Sequence, residues 1–171
     1  MPQPDYENDL VFPPQPEMVT VEKEVYNSIV RNNAKYIAEV ETLKSKLAKR
    51  RIGNFDDEKQ MVYCGDLRGR EVWCGLKDAP EQMEWEDAKI WCEKQGGMLP
   101  TIDMLTVAYL NKEAVNKSLV KHGGQPFDDD EYYWSSSENL SGFSWYIDMG
   151  NGYRYYSSKN LSFSVRVFQL I

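Results

Sequence analysis

The sequence predicts an α+β fold, and two kinds of pattern between residues 53 and 171 lead to that prediction. β-hairpin patterns occur twice, once around the turn-like "GDLRG" and once around Asn151-Gly152, a pair favoured in two-residue hairpin turns. Helical periodicity separates the two hairpins, in "EWEDAKIWCEKQGG" and again after "LPT". Antiparallel strands with helices grouped between them indicate α+β rather than a repeated β-α alternation.

Residues 1–18 differ in composition from everything that follows. They hold five prolines and four acidic residues, with no Lys or Arg. Because proline lacks a backbone N–H and has a fixed φ, this density opposes both helix and central strand and predicts an extended segment. The apolar triplet Leu10, Val11 and Phe12 is the candidate anchor by which the segment docks on a partner. A tail without a partner is the alternative.

Residues 19–52 are predicted to form one helix with a heptad repeat. Apolar and aromatic residues recur at spacings of three and four, which places them at a and d positions over three heptads. The a positions are Tyr26, Asn33, Val40 and Leu47, and the d positions are Ile29, Tyr36 and Leu43. This narrow seam predicts a short coiled coil and a homo-oligomer, with a trimer favoured and a dimer left open. An amphipathic helix packed on its own domain is the alternative.

Residues 53–171 are predicted to form one head domain, which begins where Gly53-Asn54 ends the helix. "MVYCGDLRGREVWCG" predicts a hairpin, and the following helix is expected to end at Gly96-Gly97. One face of that helix carries Trp85, Ala88, Trp91 and Cys92. Thr101 is the predicted N-cap of a second helix. Its apolar residues are Ile102, Leu105, Ala108, Tyr109 and Val115. Three strands are expected at 143–149, 153–157 and 162–169.

Composition excludes several classes of function. A net charge of −7 lacks the basic footprint that a nucleic-acid or anionic-membrane partner requires, and no run of 18 apolar residues supports membrane insertion. Of the three cysteines, Cys64 and Cys74 either bridge across the hairpin or remain buried thiols. The spacing of cysteines does not suggest zinc, and the single histidine, His122, is expected at the surface of a loop.

Taken together, these motifs resemble the Lcl C-terminal group of C-type-lectin-like domains of bacteria and phages, over residues 61–171. The family's first helix and its Gly-Gly link are matched by Trp85, Ala88, Cys92, Gly96, Gly97, Leu99, Pro100 and Thr101. Its Tyr-Trp-Ser-Ser segment and its closing strands are matched by Trp134, Ser135, Ser136, Glu138, Trp145, Tyr146, Gly152, Val165, Arg166 and Val167. The family's Trp-Arg before Leu-Pro-Thr is missing, and Phe168 stands where a valine follows proline in the family.

The resemblance implies two helices, a twisted antiparallel sheet with neighbouring first and last strands, and a loop-rich face that binds sugars or proteins. Calcium-dependent lectins of this fold hold the ion through Gln/Glu-Pro-Asn/Asp and Trp-Asn-Asp motifs. Here Phe127 follows Gln125-Pro126, and the contiguous acids at 128–131 lack the spacing that wraps an ion, so no metal is expected. Formylglycine-generating enzymes also share the fold, but the cysteines here lie in the hairpin and first helix. No catalytic residue and no cofactor is therefore expected.

Aromatic residues towards residue 171 are the candidate ligand-binding surface. Alternation in "SWYIDM" predicts that Trp145, Ile147 and Met149 face the core, while Tyr146 and Asp148 face the other side. The same alternation means that the three tyrosines of "YRYY" cannot all face inward, and exposed tyrosine gives a large contact area at low entropic cost. With their polar neighbours, the candidate ligand-binding residues are Tyr132, Tyr133, Glu138, Asn139, Tyr153, Arg154, Tyr155, Tyr156 and Lys159.

An extended segment, a coiled-coil helix and a lectin-like head together have the layout of a phage fibre. The first residues lack the basic and apolar regions of a signal peptide, which favours a virion-surface protein made in the host cytoplasm over a bacterial adhesin module. We expect a non-enzymatic head- or tail-fibre protein that docks on a capsid or tail protein through residues 1–18 and presents its head to host-surface glycan or protein. A structural decoration or adaptor of the virion without a host ligand is the alternative.

Overall fold

The computed structural model describes residues 20–49 and 51–171, with side chains described from 23 to 45 and from 51 onward. The candidate anchor, residues 10–12, and the side chain of Leu47 lie outside the described residues. The chain divides into two compact units, Met1–Ser45 and Lys46–Ile171. Within the described residues the architecture is mixed α+β, with four helices and two antiparallel sheets, which confirms the predicted fold class.

The helix expected over residues 19–52 is observed as α1, Thr20–Lys49. Its apolar a and d side chains are exposed over 47–64% of their surface, and Asn33 is exposed as well. These residues are Tyr26, Ile29, Tyr36, Val40 and Leu43. Val30 and Ile37, which follow d positions, are also exposed, so the apolar stripe is broader than the a and d residues alone. A stripe of this width is able to bury substantial area in an assembly of helices.

The first sheet has the strand order β1-β2-β3-β7 and is antiparallel throughout. Its strands are β1 (Phe55–Asp56), β2 (Met61–Leu67), β3 (Arg70–Asp78) and β7 (Arg166–Leu170). The hairpin predicted around "GDLRG" is confirmed as β2 and β3. Arg68 and Gly69 form its turn with positive φ of 52° and 80°. The last strand lies beside β3, with Gln169 opposite Trp73, so strands distant in the sequence are neighbours in the sheet.

The helices of the second unit are α2 (Trp85–Lys94), α3 (Ile102–Leu110) and α4 (Lys112–Lys121). Both predicted helix ends are confirmed. Gly96 takes a positive φ of 78° after α2, and the Thr101 hydroxyl accepts a hydrogen bond from the Met104 N–H at 3.2 Å. The prediction of one helix after Thr101 is wrong, because Asn111 separates α3 from α4. Its side-chain amide donates to the carbonyls of Val107 and Cys64 at 3.1 and 2.9 Å, which ties the break to β2.

The second sheet has the strand order β4-β5-β6. Its strands are β4 (Tyr132–Leu140), which the sequence analysis did not predict, β5 (Phe143–Asp148) and β6 (Arg154–Ser158). The Asn151-Gly152 hairpin is confirmed. Gly152 has a positive φ of 76°, and a Cβ at this position would overlap the ring of Tyr109, so both the turn and the packing require glycine. Ser164 forms an isolated parallel β-bridge with Tyr133 of β4, and two residues later the chain enters β7 of the first sheet. The segment around Ser164 therefore links the two sheets.

The main core lies between the first sheet, α3, α4 and the inner face of the second sheet. It contains Val62, Cys64, Val72, Cys74, Met104, Leu105, Ala108, Val115, Leu119, Phe127, Tyr133, Ile147, Met149 and Phe168. All three cysteines are buried free thiols in the structure. Of the two alternatives for Cys64 and Cys74, the structure therefore supports buried thiols and not a disulfide bridge. Burial raises the pKa of Cys92 to about 12, so this thiol stays protonated at neutral pH.

The predicted side of Trp145 agrees with the structure, but the side chain is less buried than expected. β5 pairs with β6 in an uninterrupted register, so Trp145 and Ile147 share one side of the strand. Ile147 and Met149 are fully buried, whereas the ring of Trp145 is half-buried and lies 5.4 Å from the ring of Tyr156. On the other side of β5, Ser144 is buried, and its hydroxyl donates to the Ser137 carbonyl at 2.8 Å.

Candidate functional site

A buried ion pair joins the neighbouring strands β3 and β7 of the first sheet. The Arg166 Nε donates to Asp78 Oδ1 at 2.5 Å, and the Phe127 ring lies 4.0 Å from the guanidinium carbon. Burial acts to lower the pKa of Arg166, but the charge and hydrogen bond of Asp78 outweigh burial and raise it. The guanidinium therefore stays charged in an interior where Arg166 is 1% exposed.

Tyr133, expected among the ligand-binding residues, belongs to this buried cluster. It is 1% exposed, and its hydroxyl donates to Asp78 Oδ2 at 2.7 Å. Burial raises the pKa of Tyr133 and keeps its hydroxyl neutral. The residue is therefore not available to an external ligand, and its assignment to the binding surface is corrected. Its neighbours Tyr132 and Trp134 point to the opposite side of β4 because successive side chains alternate along a strand.

A run of neighbouring rings covers the outer side of the second sheet. We call the rings of Tyr132, Tyr146, Tyr153, Tyr155 and Phe163 the tyrosine face. Tyr146 pairs with Tyr155 across β5 and β6, and directly paired residues share one face of a sheet. The centroid of Tyr146 is 5.6 Å from those of Tyr132 and Tyr155, and 4.5 Å from that of Phe163. Tyr153 extends the run beyond Tyr155 at 6.4 Å.

The tyrosine face combines exposed rings with a buried support. Tyr132, Tyr153 and Tyr155 expose 43%, 65% and 41% of their surface. Below them, the ring of the fully buried Trp134 lies 4.5 Å from Phe163, and its indole N–H donates to the Met83 carbonyl at 3.1 Å. Packing from below restricts the rings before any ligand arrives, which lowers the entropic cost of binding.

The remaining candidates are divided between other places on the head. Tyr156 and Arg154 lie on the opposite side of the second sheet from Tyr155, where Tyr156 packs on Trp145 and Arg154 pairs with Asp103 at 3.4 Å. Lys159 pairs with Glu138 at 2.8 Å and lies 3.7 Å above the Trp85 ring. The hydrogen bond and charge of Lys159 lower the pKa of Glu138. Asn139 is exposed near the end of β4.

The structure therefore brings together Tyr132, Tyr153 and Tyr155 from the candidate residues, and adds two that the candidate set lacks. Alternation in the sequence places Tyr146 on the outer face, and Phe163 follows the same alternation in "LSFSVRVF". A face of this kind offers apolar ring surfaces and phenolic hydroxyls, the combination that binds the C–H faces and hydroxyls of sugars or a protein surface. Among the described residues, no three His, Cys, Asp or Glu side chains are grouped to hold a metal ion.

Comparison with known proteins gives no family for this chain: no protein-family model matches the sequence, and no curated protein matches it significantly. Within the described part of the chain, no helix has the length and hydrophobicity that a membrane crossing needs.

Proposed function

We propose that the head is a C-type-lectin-like domain. The support comes from the residues that carry the sequence resemblance, because six of them meet in one buried cluster. This cluster contains Trp85, Ala88, Cys92, Leu99, Trp134 and Val165. The Trp85 indole N–H donates to the Ser135 carbonyl at 2.7 Å, which joins the helix motif to the Trp-Ser-Ser motif. The first and last strands belong to one sheet as the resemblance implies, but they are not neighbours, because β1 and β7 lie at its opposite edges.

The chain acts, in this proposal, as a phage virion fibre protein whose head contacts host-surface glycan or protein. The observation that carries the proposal is the tyrosine face, because monomeric surfaces rarely expose contiguous aromatic groups that have no partner. The exposed stripe of α1 supports assembly into an oligomer, with a trimer favoured. Several heads held together would raise a weak single-site affinity through multivalent contact with a cell surface.

Tyr155→Ala is expected to weaken ligand binding, whereas Tyr156→Ala is expected to leave it unchanged. The two neighbours expose similar fractions, 41% and 52%, but only Tyr155 belongs to the tyrosine face. Loss of a central aromatic contact typically costs about 2 kcal/mol or more, which is a more than tenfold increase in Kd. The full-length wild-type chain is first tested on a glycan array and on host-cell surfaces, and Kd is then measured for each variant.

Equal loss of binding in both variants would contradict the assignment of the ligand to this face. Absence of binding to any glycan or to host cells, together with retained binding to other virion proteins, would favour the structural decoration or adaptor instead. Both variants retain the buried rings below them, so their melting temperatures serve as the folding control.

Residues 1–18 are proposed to anchor the chain on a capsid or tail protein. Deletion of residues 2–18 is expected to abolish incorporation into particles while the remaining chain stays folded and oligomeric. A proline-rich segment loses little backbone entropy on docking, and burial of an apolar side chain contributes about 1.5–3 kcal/mol for each of Leu10, Val11 and Phe12. Occupancy is measured by quantitative blotting of purified particles. Normal occupancy of the truncated protein would place attachment elsewhere in the chain.

A further inference from the structure

A groove on the second unit, remote in sequence from the tyrosine face, is lined by more basic than acidic residues. It lies between the segment that leads into β1 and one side of α4, and it has a volume of about 880 Å³. Ligand sites for small molecules typically fall in this size range. We call it the basic groove. The lining residues that matter here are Arg51, Phe55, Lys117, Ser118, Lys121 and His122.

Three cations line the basic groove although the whole chain carries a net charge of −7. The side chains of Arg51, Lys117 and Lys121 are exposed, and none of them forms an ion pair with any acidic residue that the structure describes. Glu113 is the one acidic residue of the lining. The local excess of positive charge therefore favours an anionic ligand.

The groups that reach the interior of the basic groove are its three cations. A phosphate or carboxylate accepts hydrogen bonds from guanidinium and ammonium donors, and charge-assisted bonds of this kind are strong. The Ser118 hydroxyl and the Nδ1 of His122 also lack a hydrogen-bond partner within the described part of the chain, but both atoms are covered by neighbouring atoms and do not reach a ligand in the groove.

Aromatic rings supply the apolar part of the basic groove. The rings of Phe55 and His122 are half-buried and stacked, with centroids 4.1 Å apart and planes inclined by 19°. Flat rings beside hydrogen-bonding groups suit a saccharide, which presents C–H faces and hydroxyls together. At Gly53 the segment that leads into β1 approaches α4 closely, because a Cβ at this position would lie 2.7 Å from the Ala114 carbonyl oxygen. This close approach closes one end of the groove.

We propose that the basic groove is a second ligand site, which binds a saccharide that bears a phosphate or carboxylate group. Lys117 and Lys121 hold the anionic group, and the rings of Phe55 and His122 contact the sugar. The site does not depend on what the tyrosine face binds, because the two sites use different elements.

Isothermal titration of the full-length chain tests the proposal with four probes: glucose 6-phosphate, glucuronate, inorganic phosphate and glucose. We expect saturable binding of at least one of the two anionic sugars, with an affinity that falls as salt is added. The double variant Lys117→Gln/Lys121→Gln is expected to weaken that binding at least tenfold. Lys94→Gln is the control, because Lys94 is equally exposed in the last turn of α2 and pairs with no acidic residue that the structure describes.

Failure of both anionic sugars to bind at millimolar concentration, or equal affinity for glucose or inorganic phosphate, would overturn the site itself.

Discussion

Arg166→Met is expected to destabilise the head by about 3–5 kcal/mol and to lower its melting temperature by about 10 °C. The side chain is buried, and its loss leaves the Asp78 carboxylate with the Tyr133 hydroxyl as its one remaining side-chain hydrogen-bond donor among the described residues. An uncompensated buried charge is among the most destabilising changes that a single substitution makes. Urea and thermal unfolding of the full-length chain, followed by tryptophan fluorescence, measure the effect.

Arg154→Met is the matched control for this substitution. Arg154 also pairs with an aspartate, Asp103, but both side chains are more than 40% exposed, and exposed pairs contribute about 0.2–1 kcal/mol. Addition of Asp78→Asn to Arg166→Met is expected to recover part of the lost stability, since asparagine removes the unpaired charge and still accepts from Tyr133. Similar stability of Arg166→Met and Arg154→Met would show that the buried pair is not needed for folding.

Leu43→Asp is expected to convert the proposed oligomer to monomers. In the proposed coiled coil, Leu43 is a d position whose side chain would be buried by the other helices, and an aspartate there would be desolvated and unpaired in every chain. Its present exposure of 56% leaves the isolated helix unaffected by the change. Light scattering coupled to size-exclusion chromatography measures the mass, and the melting of the head reports that the second unit remains folded.

Ala38→Asp provides the control on the same helix. Position 38 is an f position, on the side away from the a and d seam, so the same residue is introduced without burial. The control variant is expected to keep the mass of the wild type. If the wild type is itself a monomer, or if Leu43→Asp keeps the wild-type mass, the coiled-coil proposal is wrong.

Local patterns in the sequence predict much of the fold because they depend on neighbouring residues. The positive φ of Gly152 requires only the absence of a side chain at one residue, and Thr101 acts as an N-cap within one helical turn. Asparagine is common at helix ends, but the apolar pattern continues across Asn111 to Val115 and therefore predicts one helix. The Asn111 amide reaches the Cys64 carbonyl, which lies 47 residues earlier in the chain, and only the tertiary structure brings the two together.

The candidate site shows the same limit for residues on strands. Alternation separates Tyr132 from Tyr133 correctly, but it does not say which of them faces the core. Burial of Tyr133 follows from Asp78, its hydrogen-bond partner 55 residues away, and this partner is not apparent from any local pattern. Trp145 shares the side of Ile147, as alternation predicts, but alternation does not say how far neighbouring elements cover its ring, which is half-buried. Tyr146 and Phe163 become part of one surface only through the packing of separate segments.

The position of β7 has a consequence for how the protein is made on the ribosome. β7 is synthesised after every other described element, yet it lies beside β3 and carries Arg166, whose partner Asp78 precedes it by 88 residues. Until β7 emerges, β3 has an unpaired edge and Asp78 has no counterion. Contacts between such distant residues slow folding, and incomplete chains expose apolar surface. We therefore expect nascent heads to depend on chaperones until the last strand is released.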